Sequence, residues 1–383
     1  MHEKPVPPAL IVIEPSKVGT QHITLIEAYL SALIAIDIDA MGIDLVYAAD
    51  PTSHAALAPA TRARIGFRPI RVINAEDRRW VTKGLLEVWI VLRTIAGIGP
   101  RDMLVITCLT TPALLILEAV SFAFGRKRVM VVLHSELEAL VNPALRSPRT
   151  WGFWAHHWSK LRRNGSRLRI AVIADYVRDS LTATGIAAVA RPEVELLTFP
   201  VGTADGLPAA SGRHRIAFIG YKTWMKGFDR FEALARDGAA PACQFTIICA
   251  GRVEDVVNGE SRPFDASGFL GEVAQSTLAV LPYIEGYVAS VSAAVLDALS
   301  TGVHIVATRR GCFEAIHREF GDDTITLFDT DAELAAIVGD QAFLERARAG
   351  AAARRSRLAT SSFGMAATEA DFRRVLGLWG FAS

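Results

Sequence analysis

An alternation of short apolar runs with longer helical segments most constrains the fold of this chain. The predicted strands of its first half are rich in β-branched residues, and they are Leu10–Glu14, Leu45–Ala48, Ile70–Ile73, Leu104–Thr107, Val129–Leu133 and Ile170–Ile173. The predicted helices between them lie near Leu25–Met41, Lys83–Ile95, Pro112–Phe124, Trp151–Arg163 and Tyr176–Thr184. Strands that are apolar throughout and joined by helices predict a parallel sheet covered on both faces.

The alternation restarts after residues 202–213, which are rich in Gly, Ala, Pro and Ser, as linkers often are. The second set of predicted strands is Arg215–Ile219, Gln244–Ala250, Leu278–Leu281 and His304–Ala307, with helices at Phe228–Arg236, Ser292–Leu299 and Phe313–Glu319. We therefore expect an α/β protein with two Rossmann-like, doubly wound domains, at residues 1–201 and 214–360, that face a central cleft. Residues 361–383 are predicted to form a helical tail that packs back on the N-terminal domain.

Composition excludes several classes of protein. A chain of 383 residues is long enough for two domains, and its 51% hydrophobic and 21% charged residues are typical of a folded protein. A net charge of +1 argues against a nucleic-acid binder. The start of the chain does not resemble a signal peptide, and the apolar stretch 103–124 is interrupted by polar residues. We expect a cytoplasmic protein, either soluble or peripheral on the inner face of the membrane, whose four scattered cysteines are buried thiols.

The start of the second domain carries the first candidate site. The predicted strand Arg215–Ile219 ends at Gly220, and a polar loop follows in which Lys222 and Lys226 precede a helix that begins near Gly227. Backbone N–H groups and the helix dipole at such a helix start favour an anion. A lysine there adds a positive charge suited to a diphosphate.

The loop after the strand Leu278–Leu281 carries the second candidate site. Glu285 lies in this loop within reach of a sugar, and Ser290 or Ser292 can cap the helix that follows, whose free amides suit a phosphate. Asp297 lies further along that helix, where a carboxylate can accept hydrogen bonds from ribose hydroxyls. The next predicted strand is followed by Gly311 and Glu314.

The order KGFD, then LPY…EG…S.S..VLDALSTG, then HIVATRRGCFEAI resembles the donor-binding half of the family 4 (group 1) retaining glycosyltransferases of the GT-B type. The resemblance covers residues 216–316 closely, and the first half in architecture alone. It implies that Lys226 contacts the donor diphosphate. It also implies that Ser292 matches the serine of the family's loop, and that Gly311 and Glu314 match the family's turn after the next strand. Three positions depart from the family: Tyr221 replaces an arginine, Ala289 the first of two glutamates, and Asp297 the second.

Polar residues after predicted strands of the first half add further candidates. Gly19 and His22 follow the first strand, where the family has a glycine-rich loop that faces the donor phosphate and the acceptor. His134 follows the strand Val129–Leu133, and both histidines are placed to hydrogen-bond a sugar or take a proton. The D-x-D sequence at Asp37 and Asp39 lies near a predicted helix end, so we do not expect a metal there. Neither a metal nor another cofactor is expected.

Tryptophans and cations are concentrated between residues 126 and 169, which contain ten Lys or Arg residues and two Glu residues. Trp151, Trp154 and Trp158 have the spacing of one helical face, followed by Lys160, Arg162 and Arg163. Two interpretations stay open: the tryptophans pack into the core, or the helix touches an anionic membrane surface.

Together these features predict a retaining, metal-independent, hexosyltransferase-like enzyme. It would move a sugar from a nucleotide-sugar donor to a glycan or lipid-linked acceptor, in polysaccharide or lipopolysaccharide assembly. The expected catalytic residues are His134, Glu285 and Lys226; the expected donor-binding residues are Gly19, His22, Gly220, Lys222, Lys226, Ser290, Ser292, Asp297 and Glu314. Two alternatives stay open: a nucleotide-sugar 2-epimerase of the same architecture, and a non-catalytic protein that binds nucleotides or glycans.

Overall fold

The structure is a computed structural model, and it describes most of the chain in two compact units. The described residues are 7–19, 22–73, 80–134, 136–149, 151–161, 167–189, 193–202, 204, 206–207, 210, 212–238, 240–249, 251–264 and 268–381. The first unit contains Met1–Pro200 and Met365–Ser383, and the second contains Val201–Gly364. The segment expected as a linker adjoins the second unit, since the Ala204 N–H donates to the Ser300 carbonyl.

The first unit is built on a parallel sheet of seven strands in the order β3-β2-β1-β4-β5-β6-β7. The strands are β1 Ala9–Ile13, β2 Asp44–Ala49, β3 Gly66–Pro69, β4 Met103–Ile106, β5 Arg128–Leu133, β6 Leu168–Val172 and β7 Val194–Leu196. The central strands are almost fully buried, as their β-branched composition predicts. The prediction of a strand at Ile70–Ile73 is wrong. The edge strand β3 lies just before these residues, and its exposed residues give no apolar pattern from which it could be predicted.

Helices connect these strands. They are α1 Ile23–Ala35, α2 Pro51–Ala56, α3 Pro59–Arg62, α4 Trp80–Gly97, α5 Thr111–Val120, α6 Glu138–Val141, α7 Trp151–Leu161 and α8 Asp175–Thr182, with 3-10 helices η1 Ser121–Phe124, η2 Pro143–Leu145 and η3 Ala187–Val189. Helix α1 ends earlier than predicted, because Asp37 adopts a left-handed conformation within the following turn. The Asp39 carboxylate in that turn pairs with Arg64 at 3.2 Å.

The second unit is built on another seven-stranded sheet, in the order β11-β10-β9-β8-β12-β13-β14. Its strands are β8 Arg215–Ile219, β9 Gln244–Cys249, β10 Arg252–Asp255, β11 Ser261–Pro263, β12 Leu278–Leu281, β13 His304–Thr308 and β14 Ile325–Phe328. Strands β10 and β11 extend the sheet antiparallel to β9, and the other pairs are parallel. Two parallel-dominated sheets with alternating helices confirm the predicted α/β class.

The helices of the second unit are α9 Phe228–Arg236, α10 Phe269–Ala274, α11 Ala293–Thr301, α12 Gly311–Phe320, α13 Asp331–Gly339, α14 Gln341–Ala349 and α15 Ala351–Ala359, with the 3-10 helix η4 at Trp224–Lys226. A buried core of aromatic and aliphatic side chains, including Phe218, Phe231 and Phe328, fills the space between sheet and helices. Among the described residues, no helix has the length and apolar composition to cross a bilayer.

The final helix, α16 at Met365–Leu378, belongs to the first unit, where it packs against α1. The ring of Phe372 meets the buried ring of Tyr29 edge-on, with centroids 5.4 Å apart. The Asp371 carboxylate accepts hydrogen bonds from the N–H and hydroxyl of Thr198 at 3.0 and 2.7 Å. These contacts make the C-terminal segment part of the first unit's core.

Candidate functional site

The second sheet reverses its strand order between β8 and β12. The chain leaves β8 toward β9 on one side, whereas β12 lies on the other side. Ligands of open α/β sheets bind beyond the carboxyl ends of the strands at such a switch point. Here the loops after β8 and β12 are held together by backbone hydrogen bonds, since the Met225 carbonyl accepts from the N–H groups of Ile284 at 2.8 Å and Glu285 at 3.3 Å.

Lys226 places its ammonium group in this crevice. A Cβ added at Gly220 would lie 2.9 Å from Lys226 Nζ, so the lysine passes directly over the glycine at the end of β8. The ammonium also lies 5.7 Å from the centroid of the Tyr283 ring, which is a cation–π distance. Burial lowers the pKa of Lys226, although Cys249 and Asp297 oppose the shift. The lysine is therefore a partly desolvated positive charge at the switch point.

Asp297, on α11, is the acidic partner in this crevice. Desolvation raises the pKa of its carboxyl group to about 7, and the Lys226 ammonium acts in the opposite direction. At the start of α11, Ser292 occupies the N-cap position but does not cap the helix with its side chain. Its buried hydroxyl lies 2.9 Å from the Tyr283 hydroxyl instead. Ser292 thus fixes the tyrosine beneath Lys226, and the neighbouring Ser290 is also buried.

Lys222 is directed away from this ammonium and toward Glu254. Its Nζ lies 2.7 Å from both carboxylate oxygens of Glu254, and both side chains are exposed. Together with Tyr221, Cys249 and Arg252, this pair lines a cavity of about 540 Å³ at the ends of β8 and β9. Burial raises the pKa of the Cys249 thiol, while Lys226 and Lys222 oppose that shift. The cavity therefore adjoins Lys226.

Glu285 and Glu314 are half-buried and lie near the same loops. Glu285 follows Tyr283 in the loop after β12, where Gly286 and Tyr287 both adopt left-handed conformations. Glu314 lies in the first turn of α12, whose Cys312 N–H donates to the Tyr287 carbonyl at 3.2 Å. The loop after β12 is thus anchored to η4 on one side and to α12 on the other.

The first unit brings His22 and His134 together. The two rings stack with centroids 5.1 Å apart and an interplanar angle of 24°. Glu14, at the end of β1, was not predicted as a site residue, yet its buried carboxylate lies 3.6 Å from His22 Nδ1 and accepts a 2.8 Å hydrogen bond from the Thr107 hydroxyl. Burial raises the pKa of Glu14, but hydrogen bonds and the charge of His22 outweigh it and leave the pKa lowered.

His134 is the less suitable proton acceptor of the two histidines. Desolvation, reinforced by His22, lowers the pKa of His134 to about 4, so the ring is neutral at neutral pH. Its Nε2 lies 2.6 Å from the Thr107 carbonyl, which fixes this nitrogen as the one that donates. The main-chain N–H of His134 donates to the Glu136 carboxylate at 2.8 Å. His22 is less engaged, and 29% of its side chain is exposed.

A buried lysine supports the loop after β1. Lys83 Nζ donates to the Ser16 carbonyl at 2.7 Å and lies 3.9 Å from Glu87. Glu87 in turn accepts from the N–H and hydroxyl of Thr110, in the loop after β4, at 2.8 and 2.7 Å. Helix α4 therefore ties together the two loops at the first sheet's switch point. Gly19, in the first of these loops, has a φ of 61°.

Among the described residues, Glu14, His22 and Cys108 form a group whose possible metal-ligand atoms all lie within 4.8 Å of one another. Burial raises the pKa of the Cys108 thiol well above its ordinary value. A protonated thiol is a poor ligand, because metals bind the thiolate. The three residues form a largely buried polar cluster beside β1, and the expectation that no metal binds stays a prediction.

The predicted tryptophan face is divided by the structure. Trp151 and Trp154 are exposed, whereas Trp158 is half-buried against the unit. Lys160 is exposed at the end of α7, and the predicted cations Arg162 and Arg163 lie outside the described residues. Trp158 is therefore partly packed into the unit, whereas contact of Trp151 and Trp154 with a membrane stays a prediction.

Comparison with solved structures identifies the fold. Sucrose-phosphate synthase from Thermosynechococcus elongatus matches with a TM-score of 0.66 at 13% identity, covering 98% of this chain and 100% of that chain. HepE from Anabaena, solved in complex with UDP-glucose, matches with a TM-score of 0.65 at 14% identity, covering 97% and 99%. A glycosyltransferase from Rickettsia africae matches with a TM-score of 0.57 at 10% identity, covering 97% and 98%.

These identities are low, and they establish the fold alone. The chain has the α/β fold of the GT-B glycosyltransferase structures, as predicted. No protein-family model matches the sequence, and a search of curated proteins found no match.

Proposed function

We propose that the protein is a retaining, metal-independent glycosyltransferase of the family 4 kind that uses a nucleotide-sugar donor. The observation that carries this proposal is the position of Lys226, whose ammonium lies over Gly220 at the second sheet's switch point and beside Asp297. A fixed, partly desolvated cation at this place suits a diphosphate leaving group better than any other ligand chemistry.

In the proposed reaction the bond between the sugar C1 and the diphosphate oxygen breaks, and C1 bonds to the acceptor hydroxyl oxygen. The hydroxyl proton passes to the leaving diphosphate, which therefore serves as the base. Lys226 and the amides at the start of α11 stabilise the charge on the diphosphate. Asp297 accepts a hydrogen bond from the ribose, and Glu285 and Glu314 bind the sugar. Because fixed positive groups take the place of a cation, no metal is required.

The cavity beside Lys226 has a volume suited to the nucleoside part of a donor. Its exposed Tyr221 ring offers a stacking surface, and the Lys222–Glu254 pair offers a charged group for hydrogen bonds. HepE is a protein of the same fold with bound UDP-glucose. We therefore propose a nucleoside-diphosphate sugar as the donor, and a glycan or lipid-linked acceptor in polysaccharide or lipopolysaccharide assembly.

The anomeric configuration of the product, measured by NMR, tests the retaining course. A product that keeps the configuration of the donor supports it, and an inverted product would contradict it.

The proposal is tested by thermal-shift measurements with UDP, GDP, ADP and CMP and their sugar conjugates. We expect one nucleotide to stabilise the wild type, by about 2.7 kcal/mol at ~100 times its dissociation constant. Lys226→Ala should abolish that shift, whereas the matched variant Lys160→Ala, at an exposed lysine of the first unit, should keep it.

Turnover is then measured with the nucleotide sugar that binds. Transfer to an added acceptor supports the proposal, and epimer formation without an acceptor would indicate the epimerase instead. Binding with no turnover would indicate a non-catalytic protein. An equal nucleotide response of wild type and Lys226→Ala would overturn the assignment of the diphosphate site.

A further inference from the structure

Large exposed apolar side chains of the first unit are concentrated on neighbouring helices. Of the eight that are at least 36% exposed among the described residues, six lie on these helices: Leu85, Trp89, Ile116, Phe122, Trp151 and Trp154. The other two are Phe67 on β3 and Leu378 on α16. The helices that carry the six are α4, α5 with η1, and α7. Helix α5 packs against both α4 and α7. Right-handed crossovers from β3 to β4, β4 to β5 and β5 to β6 place all three helices on the same side of the sheet.

The outward side of α4 is largely apolar, although Thr82 and Arg93 are also exposed there. Leu85, Trp89 and Ala96 are exposed, and Leu86 and Leu92 are half-exposed. A helix on the surface of a soluble domain ordinarily presents polar residues there, because its apolar stripe faces the core. The same holds for α5 and η1, where Ile116, Ala119 and Phe122 face outward. The outer face formed by α4, α5, η1 and α7 therefore presents large apolar side chains outward, with cations such as Arg93 and Lys160 among them.

The charges on this outer face are all positive. The acidic residues of its helices, Glu87 and Glu118, are both buried. The exposed cations are Arg93, whose guanidinium lies 5.2 Å from the Trp89 ring centroid, Arg126 directly after η1, and Lys160 at the end of α7. Aromatic and aliphatic groups ringed by cations are the composition of a surface that lies in the headgroup region of an anionic bilayer.

A basic cavity adjoins the same face. Its volume is about 410 Å³, and its lining includes Lys127, Arg128, Arg167 and Arg169. Lys127 Nζ donates to the Ala96 carbonyl at 3.3 Å, so the cavity begins where the exposed side of α4 ends. Arg169 pairs with Glu195 at 3.1 Å, and the remaining cations Lys127, Arg128 and Arg167 suit the phosphate of a lipid headgroup.

We propose that the outer face formed by α4, α5, η1 and α7 docks on an anionic membrane surface. The proposal deepens the function given above, on which it rests, by naming the bilayer as the place where a lipid-linked acceptor is met. A second copy of the chain is the less suitable occupant, because two such faces would bring their rims of like charge together. In an anionic bilayer, the apolar side chains would be buried among the lipids and the cations would lie beside the anionic headgroups.

The test uses the full chain in sedimentation with phosphatidylcholine vesicles, with and without phosphatidylglycerol. We expect binding to the anionic vesicles, weakened by salt. The double variant Trp89→Glu/Phe122→Glu should lower the partition coefficient at least about tenfold. The matched control Val257→Glu changes a side chain of the second unit that is 59% exposed, and it should bind as the wild type does.

Three results would overturn the docking surface: no preference for anionic vesicles, equal loss in the Val257→Glu control, or a dimer in light scattering that the double variant dissociates. The nucleotide thermal shift of the same proteins separates this proposal from the proposed function. A double variant that loses vesicle binding but keeps the circular dichroism spectrum and melting temperature of the wild type is folded and supports the docking surface. If the wild type binds vesicles but responds to no nucleotide, the donor site is refuted and the docking surface is still supported.

Discussion

A Cβ added at Gly227 would lie 1.9 Å from the carbonyl oxygen of Pro282. Gly227 has a φ of 66° and stands between Lys226 and helix α9, so two separate constraints require glycine there. Close contact at this point, together with the hydrogen bonds of the Met225 carbonyl, joins the loops after β8 and β12. The position of the Lys226 ammonium depends on that junction.

Gly227→Ala should therefore separate the two loops. We expect a loss of stability of roughly 2 kcal/mol or more, because the left-handed conformation and the contact with Pro282 are both unfavourable for alanine. The nucleotide thermal shift should fall with it. Gly271→Ala is the matched control, since nothing lies within 4 Å of its added Cβ in α10. Equal urea midpoints for both variants would contradict this account.

Asp297→Asn should change how stability depends on pH. The folded-state pKa of Asp297 is raised from 3.8 to about 7, so the folded protein holds a proton that the unfolded chain releases. The free energy of unfolding is therefore highest at low pH, where Asp297 is protonated in both states, and it falls as the pH rises from 3.8 through about 7. The variant should therefore be more stable than the wild type at pH 8, by roughly 2 kcal/mol, and the difference should shrink toward pH 5. Urea unfolding without ligand measures it, and a pH-independent difference would argue against the raised pKa.

His134 should remain neutral throughout the physiological range. Its pKa of about 4 means that the ring loses its proton well below pH 5, and its Nε2 then carries the hydrogen donated to the Thr107 carbonyl. Histidine NMR signals should show the Nε2–H tautomer with no titration between pH 5 and 8. His134→Ala is used to assign the signals. A midpoint near 6.5 would show that the ring is solvated.

Lys83→Met should destabilise the first unit by about 3 kcal/mol, because it leaves the buried Glu87 carboxylate without its cation. Adding Glu87→Gln removes that charge, so the double variant should recover part of the loss. Chemical unfolding of the two single variants and the double variant gives the coupling energy. Additive effects would mean that the 3.9 Å separation carries no interaction. The nucleotide shift should persist in all three, since the pair lies in the other unit.

Periodicity predicted the elements that carry the donor site. Strands β8 and β12 and helix α9 have the predicted bounds, because buried β-branched runs and an amphipathic segment give strong local signals. Strands β10 and β11 were missed, since their largely polar, partly exposed residues lack such a signal. Glu14 could have been found as an acidic residue at the end of an apolar strand. Its contacts with His22 and Thr107 could not, because pairing between residues so far apart depends on the fold.

The contact of α16 with α1 has a consequence for the order of events during synthesis. Tyr29 leaves the ribosome some 340 residues before Phe372, which packs on it. The whole second unit is translated in between and is able to fold first. The side of α1 that packs on α16 therefore stays uncovered until α16 is made, so a nascent chain stalled within residues 201–364 exposes an apolar surface that a chaperone can bind.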